Sequence, residues 1–212
     1  MKIQLLVDNS ESWIVPYAEQ LCSKLIELEH ESKLIFRHEE VLEGDILCIL
    51  SCEKVFRKLS LNSYNLVVHE SDLPQGKGWS PVTWQILEGK NTIPVTLFEA
   101  TDSIDSGQIY SQAYISLNGT ELLNEIKHQQ GIVTQSLILS FIESFPDIKG
   151  KPQTGEESFY SRRKPEHSRL DVHKSLYEQF DLLRVCDNER YPAHFTMKNE
   201  EYVLKIYKKN DK

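Results

Sequence analysis

The chain has 212 residues, enough for one sizeable core or for a domain with a smaller appendage. Its 24 Lys and Arg against 32 Asp and Glu give a formal charge of −8, which argues against a nucleic-acid-binding surface, because neutralising phosphates needs clustered cations. No segment approaches the about 18 consecutive apolar residues of a membrane span.

Four cysteines, Cys22, Cys48, Cys52 and Cys186, form neither a CxxC pair nor the density of a disulfide scaffold. Two lie in apolar runs, as reduced buried thiols do. The opening MKIQLLVDN lacks the long apolar region and small-residue cleavage site of a signal peptide. These features predict a cytoplasmic protein.

Apolar runs alternate with stretches of helical period. KIQLLV (2–7) reads as a strand, and Tyr17, Leu21, Leu25 and Leu28 follow at steps of three or four. LIFRH (34–38) reads as a short strand. DILCILS (45–51) is a continuous apolar run, as expected of a strand covered on both faces, and NLVVH (65–69) is another. Ser80 is placed to cap a helix with Pro81 at its first position, ending near Gly89. IPVTLFEA (93–100) and QIYSQAYISL (108–117) read as further strands. A long helix is expected from about Thr120 to Phe145, with Glu121 and Glu125 near its N-terminus and Gly131 as a potential break.

This alternation predicts an α/β domain over 1–150 with a mostly parallel, Rossmann-like sheet. From Pro146 to about His167 the chain turns rich in Gly, Pro, Ser and charge, which reads as an extended surface segment. A helical stretch, SLYEQFDLLRV, and a hairpin turning near Lys198 to Glu200 complete a small α+β extension over 151–212.

Ligands of open α/β sheets bind beyond the carboxyl ends of the strands. His69 lies at such an end and Asp105 in the loop after the next strand, so neighbouring strands would let the two converge. A carboxylate beside imidazole fixes its tautomer and suits acid–base work near neutral pH. Read alone, His69 also fits a satisfied structural residue and Asp105 a turn former. Gly76 and Gly78 allow a bend or a close backbone approach to a ligand, with Lys77 between them. GxxxxGK[ST], GxGxxG and GxSxG are absent. The histidines are scattered, with no HExxH and no paired Cys/His spacing, so no metal site is expected. Cys52 follows a strand and reads as a buried thiol or as a reactive one.

The series HESDLPQGKGWSP, WQILEG, VTLFEA and IDSG resembles the folate-dependent formyltransferases. The pattern falls on His69, Ser71, Leu73, Pro74, Gly78, Pro81, Trp84, Ile86, Gly89, Val95, Thr96, Leu97, Ile104, Asp105, Ser106 and Gly107. Within that superfamily it looks closest to amino-sugar N-formyltransferases of the pseudaminic-acid type and to formylation domains of peptide synthetases. The resemblance implies formyl transfer from 10-formyltetrahydrofolate to an amine, with no metal, and a catalytic set of Asn, His and Asp. The His and the Asp fall on His69 and Asp105. The Asn position, two residues before the His, is Val67 here. Asn65 is roughly 13 Å from His69 along an extended strand at about 3.3 Å per residue. Ser71, Lys77 and backbone N–H groups are the candidates to replace that donor. The resemblance also implies folate contacts from Leu50, Ser51 and Cys52, and from Thr101 and Asp102.

Among acceptors, a nucleotide-linked amino sugar is expected, not tRNA or glycinamide ribonucleotide, because the chain is acidic and VDNSESW offers no glycine-rich phosphate site. Arg162, Arg163 and Lys77 would meet the pyrophosphate, and Trp79 or Tyr160 the base. The run Arg162 to Lys164 also reads as a solvated loop, and Trp79 as a packing residue. Other readings are a carrier-bound or other amine as acceptor, and a non-catalytic folate- or nucleotide-binding relative. A homodimer is compatible with the resemblance; no nucleic-acid or membrane partner is expected.

Overall fold

A computed structural model describes residues 1–209, so the last three residues of the expected 151–212 extension lie outside the described residues. In chain order the regular elements begin with strand β1 (Lys2–Leu6), helix α1 (Val15–Glu27), β2 (Glu31–Ile35), β3 (Gly44–Ile49), β4 (Asn62–His69) and β5 (Lys77–Gly78). There follow α2 (Pro81–Leu87), β6 (Thr92–Glu99), β7 (Ile109–Ser116), α3 (Leu123–Glu143) and β8 (Phe159–Tyr160). The chain closes with α4 (Phe180–Arg184), β9 (Ala193–Met197) and β10 (Glu200–Leu204).

The main sheet has the order β2-β1-β3-β4-β6-β7. Strands β2, β1, β3 and β4 run parallel, and β6 and β7 pair antiparallel. One face packs on α1 and α3, where Ala18, Leu21, Leu25, Ile138 and Phe141 meet Ile3, Leu5, Ile46, Leu66 and Val95. The other face is covered by loops, with Leu6, Ile35, Leu47 and Ile49 beneath Val41 and Phe56. Burial on both faces explains why β1 and β3 read as unbroken apolar runs, each fully buried side chain contributing about 1.5–3 kcal/mol. Gln4 is the polar exception in β1. Its amide donates to Leu42 O at 2.7 Å and to Asn62 Oδ1 at 3.0 Å, and accepts from Leu42 N, so its burial leaves no polar group unmet.

Several expected boundaries move for identifiable reasons. Helix α3 starts at Leu123, later than Thr120, because Glu121 caps the preceding turn through Asn118 N and Gly119 N. Glu125 then accepts from Leu122 N at the helix start. Ser80 precedes α2 in the left-handed region (φ 50°) and makes no side-chain capping bond. Only Phe180–Arg184 of the expected C-terminal helix is helical, since the Gln179 amide ties Asp171 O, Lys174 O and Ser175 O into turns. The hairpin forms as expected, with Lys198 and Asn199 both at positive φ between β9 and β10.

Gly131 does not break α3; it is where α3 meets α1. A Cβ there would lie 2.4 Å from Cδ1 of the Tyr17 ring. Helix propensity alone predicts that Gly131→Ala stabilises the protein by up to about 1 kcal/mol. The contact predicts the opposite sign, a net loss of about 1–2 kcal/mol from overpacking, read from urea unfolding.

Candidate active site

His69 is the last residue of β4 and is 7% exposed. Its Nε2 lies 2.8 Å from Gly76 O. A carbonyl only accepts, so Nε2 carries the hydrogen, and the Nδ1 edge of the ring faces Asp105 Oδ2 at 4.0 Å. The geometry therefore leaves Nδ1 as the nitrogen that can take or give a proton.

Asp105 does not reach His69 in the way the sequence suggests. Strand β6 runs antiparallel to β4, with His69 opposite Thr96 and Leu66 opposite Glu99, so its carboxyl end lies away from His69. The loop after β6 turns back along β4 instead. Glu99 N donates to Gln108 O at 2.9 Å and closes this loop. Gly107 is required there, because a Cβ would lie 1.7 Å from Glu99 O. Gln153 Nε2 holds the loop from outside, donating to Asp105 O and Gly107 O at 2.9 Å each.

The 76–78 loop connects the two side chains. Gly76 O accepts from His69, and Gly78 N donates to Asp105 Oδ2 at 3.0 Å. A strap from the C-terminal extension, β8, pairs in parallel with β5 and fixes that loop. Lys77 N donates to Ser158 O, Trp79 N to Tyr160 O and Gly76 N to Ser158 Oγ. Gly76 and Gly78, at φ 70° and 98°, thus closely approach the chain's own strap. A Cβ at 78 would stand 2.6 Å from Tyr160 O.

A cleft of about 580 Å³ opens in front of the pair. Of the expected folate contacts, Leu50, Ser51, Cys52 and Thr101 line it, while Asp102 is exposed and outside the lining. Of the expected acceptor contacts, Trp79, Arg162 and Arg163 line it. Lys77 does not. It is 1% exposed, with Nζ donating to Ser106 Oγ at 2.9 Å and to Glu157 Oε1 at 2.5 Å, so its charge secures the residue next to Asp105. Burial pushes the Cys52 thiol up to about 12, which favours its reading as an inert thiol over a nucleophile.

The position of the resembled Asn is occupied by Val67, which faces the cleft. Asn65 is committed elsewhere, its amide donating to Leu59 O at 3.0 Å and to Glu99 Oε1 at 3.4 Å. Neither Ser71 nor Lys77 reaches the lining, so of the proposed replacements only backbone N–H groups remain.

The cationic wall is larger than the sequence suggests. The Arg162 guanidinium sits over the Trp79 ring at 4.6 Å. Arg163 donates through Nη2 to Ser168 Oγ and His167 O, lies beside the Cys186 thiol, and its buried Nη1 has no hydrogen-bond partner among the described residues. Burial holds both Arg163 and Lys127 below their usual pKa values. Lys127 and Gln130 line the cleft from α3, and Arg190 and Tyr191 line it from the turn before β9. Lys127 and Gln130 lie in a polar first half of α3 that gives no sequence signal to single them out. Arg190, in DNERY, carries none.

No protein-family model matches the chain. A methionyl-tRNA formyltransferase from Streptococcus pneumoniae is 28% identical over 143 residues, which cover 66% of this chain and 45% of that protein. The chain therefore spans about half the length of the curated relatives it matches. Among solved structures, a methionyl-tRNA formyltransferase from Clostridium thermocellum superposes with a TM-score of 0.80 at 22% identity, over 100% of this chain and 95% of that one. HypX from Aquifex aeolicus, in complex with tetrahydrofolic acid, has a TM-score of 0.76 at 18% identity, over 97% and 37%. A sugar N-formyltransferase from a Shewanella species has a TM-score of 0.67 at 15% identity, over 97% and 97%. The fold is the formyltransferase fold. The curated relatives that the chain matches are formyltransferases, in keeping with the resemblance carried by the sequence motifs, and the solved structures share its fold.

Two glycines separate backbone strain from close packing. Gly89 has φ 84° with nothing within 4 Å of a Cβ, whereas Gly78 has the strap against it. Gly89→Ala is expected to cost about 1 kcal/mol from positive φ alone, and Gly78→Ala at least about 1–2 kcal/mol more, as measured by urea unfolding of both variants.

Proposed function

We propose that the chain is a cytoplasmic N-formyltransferase that moves a formyl group from 10-formyltetrahydrofolate to the amine of a nucleotide-linked amino sugar. One observation carries the reading: the Nδ1 edge of His69 and the Asp105 carboxylate face each other on the wall of a cleft that also holds Arg162, Arg163 and Arg190.

The neutral amine attacks the formyl carbon, forming a C–N bond, and negative charge develops on the formyl oxygen. An imidazolium at His69 presents its Nδ1 hydrogen towards the cleft and stabilises that charge. Asp105, held by Gly78 N, stabilises the imidazolium and accepts the amine proton; as the oxyanion collapses and the C–N bond to the folate nitrogen breaks, Asp105 passes that proton to the departing nitrogen. Losing one oxyanion donor costs about 3 kcal/mol where it has been tested, so Val67 makes His69 the main donor and raises its share of the catalysis. Leu50, Ser51, Cys52 and Thr101 form the folate wall. The folate reading is supported by the tetrahydrofolate complex of a protein of the same fold.

The acceptor reading rests on charge. In a chain of formal charge −8, three arginines line the cleft, and the buried Arg163 Nη1 lacks a hydrogen-bond partner among the described residues. A pyrophosphate supplies the missing acceptor, and Trp79 a face for a base, although the structure sets that ring against Arg162. A second reading, methionyl-tRNA as acceptor, is favoured by the sequence relatives. It fits less well, since tRNA phosphates need cations spread over an outer face.

The test is formyl transfer from 10-formyltetrahydrofolate to a panel of nucleotide-linked 4-amino sugars and to methionyl-tRNA. Turnover of an amino sugar is expected, falling about 10²–10⁴-fold in His69→Ala and in Asp105→Ala, with a raised KM for the sugar in Arg163→Ala. Transfer to methionyl-tRNA alone would replace the acceptor, and undiminished transfer in His69→Ala would overturn the mechanism.

A further inference from the structure

On the parallel side of the sheet, outside the catalytic pair, three neighbouring strands each deliver one metal-ligand type to the same point. The strand order β2-β1-β3 sets the carboxyl ends of these strands side by side. Asp8 follows β1, His38 follows β2 and Cys52 follows β3. One ligand atom from each lies within 4.8 Å of the other two. We propose that Asp8, His38 and Cys52 form a zinc site.

The local bonding supports an absent partner. His38 Nε2 is buried, lies 3.3 Å from Asp8 Oδ2, and makes no hydrogen bond among the described residues. The Cys52 Sγ donates weakly to Leu6 O at 3.4 Å and keeps its lone pairs towards Asp8 and the ends of the neighbouring strands. Asp8 is held in place from behind, its side chain 5% exposed and its two oxygens accepting from Glu53 N and Lys54 N at 2.8 Å each. Each oxygen keeps a further lone pair for a cation.

The donor set selects the ion. Thiolate and imidazole disfavour Mg²⁺ and Ca²⁺, which take oxygen ligands. Zinc bonds of about 2.0–2.3 Å put tetrahedral ligand atoms roughly 3.3–3.7 Å apart, so the trio needs to contract by only about 1 Å. Binding releases the Cys52 proton to solvent. The carboxylate and thiolate then balance the two positive charges of the ion, which lowers the cost of placing it under the loop. A water takes the fourth position. Because Cys52 to Phe56 form one wall of the cleft, zinc would tie that wall to the ends of β1 and β2.

The three ligands stand far apart in sequence, which is why residue spacing predicts no metal site here. The test needs no formyl transfer and is independent of the proposed reaction. The full chain, freed of metal by a chelator, is titrated with Zn²⁺ and with Co²⁺ as a spectroscopic probe. The expected result is one tight ion per chain, with a thiolate-to-cobalt charge-transfer band. Losing a mere outer-shell partner costs 10- to 100-fold in affinity, so Cys52→Ser and His38→Gln should each weaken binding by at least about 100-fold. His173→Gln, on an exposed turn, should leave binding unchanged. A cobalt spectrum without the thiolate band, no binding at micromolar zinc, or unaltered binding in Cys52→Ser overturns the proposal. The cobalt spectrum of the unmutated chain decides the matter even if a variant fails to fold.

Discussion

Three residues, Gly76 to Gly78, link the side chains of His69 and Asp105. Their backbone gives a carbonyl to His69 on one side and an amide to Asp105 on the other. Neither strand end could do this alone, because β6 runs antiparallel to β4 and carries Asp105 away before its loop returns. The loop is held in turn by Ser158 and Tyr160. Through Ser158 and Tyr160 the extension after residue 150 therefore holds the loop that links His69 and Asp105. Its outer face is anchored too, with Tyr160 OH donating to Glu88 and Trp84 Nε1 to Ser161 O.

The same arrangement decides which charges are free to act. Lys77, placed between two glycines, looks like a ligand-binding cation in the sequence. Burial at 1% exposure and a 2.5 Å pair with Glu157 make it a fastening instead. Leaving a buried charge unpaired costs several kcal/mol, so its partners are part of its position. Arg163 differs, since one guanidinium nitrogen is left over after Ser168 and His167 are met. The cleft thus combines a neutralised cation under the loop with a partly unmet one on its wall.

Much of this was legible in the sequence, and the limits have physical causes. Strands β1, β3, β4 and β6 announce themselves because burial makes them largely apolar, and the hairpin because Lys198 and Asn199 sit at a turn. The placement of His69 at a strand end follows from β4 alone. Strand direction leaves no mark on composition, so the antiparallel run of β6 is invisible. Pairing of β5 with β8 rests on backbone groups and two glycines, where side-chain identity says little. Gly131 could be read as a break or a contact, and only the Tyr17 ring distinguishes them. Arg190 and the Asp8, His38 and Cys52 cluster depend on folding distant segments together.

The account depends most on the Gly76 carbonyl setting the state of the His69 ring. The direct measurement is the ¹⁵N chemical shift of the two His69 imidazole nitrogens in the full chain, assigned by comparison with His69→Ala. The account predicts hydrogen on Nε2 in every state of the ring, with Nδ1 bare whenever the ring is neutral. A neutral ring with hydrogen on Nδ1 would contradict it, because Nε2 could then not donate to Gly76 and the ring would present the wrong nitrogen to the cleft.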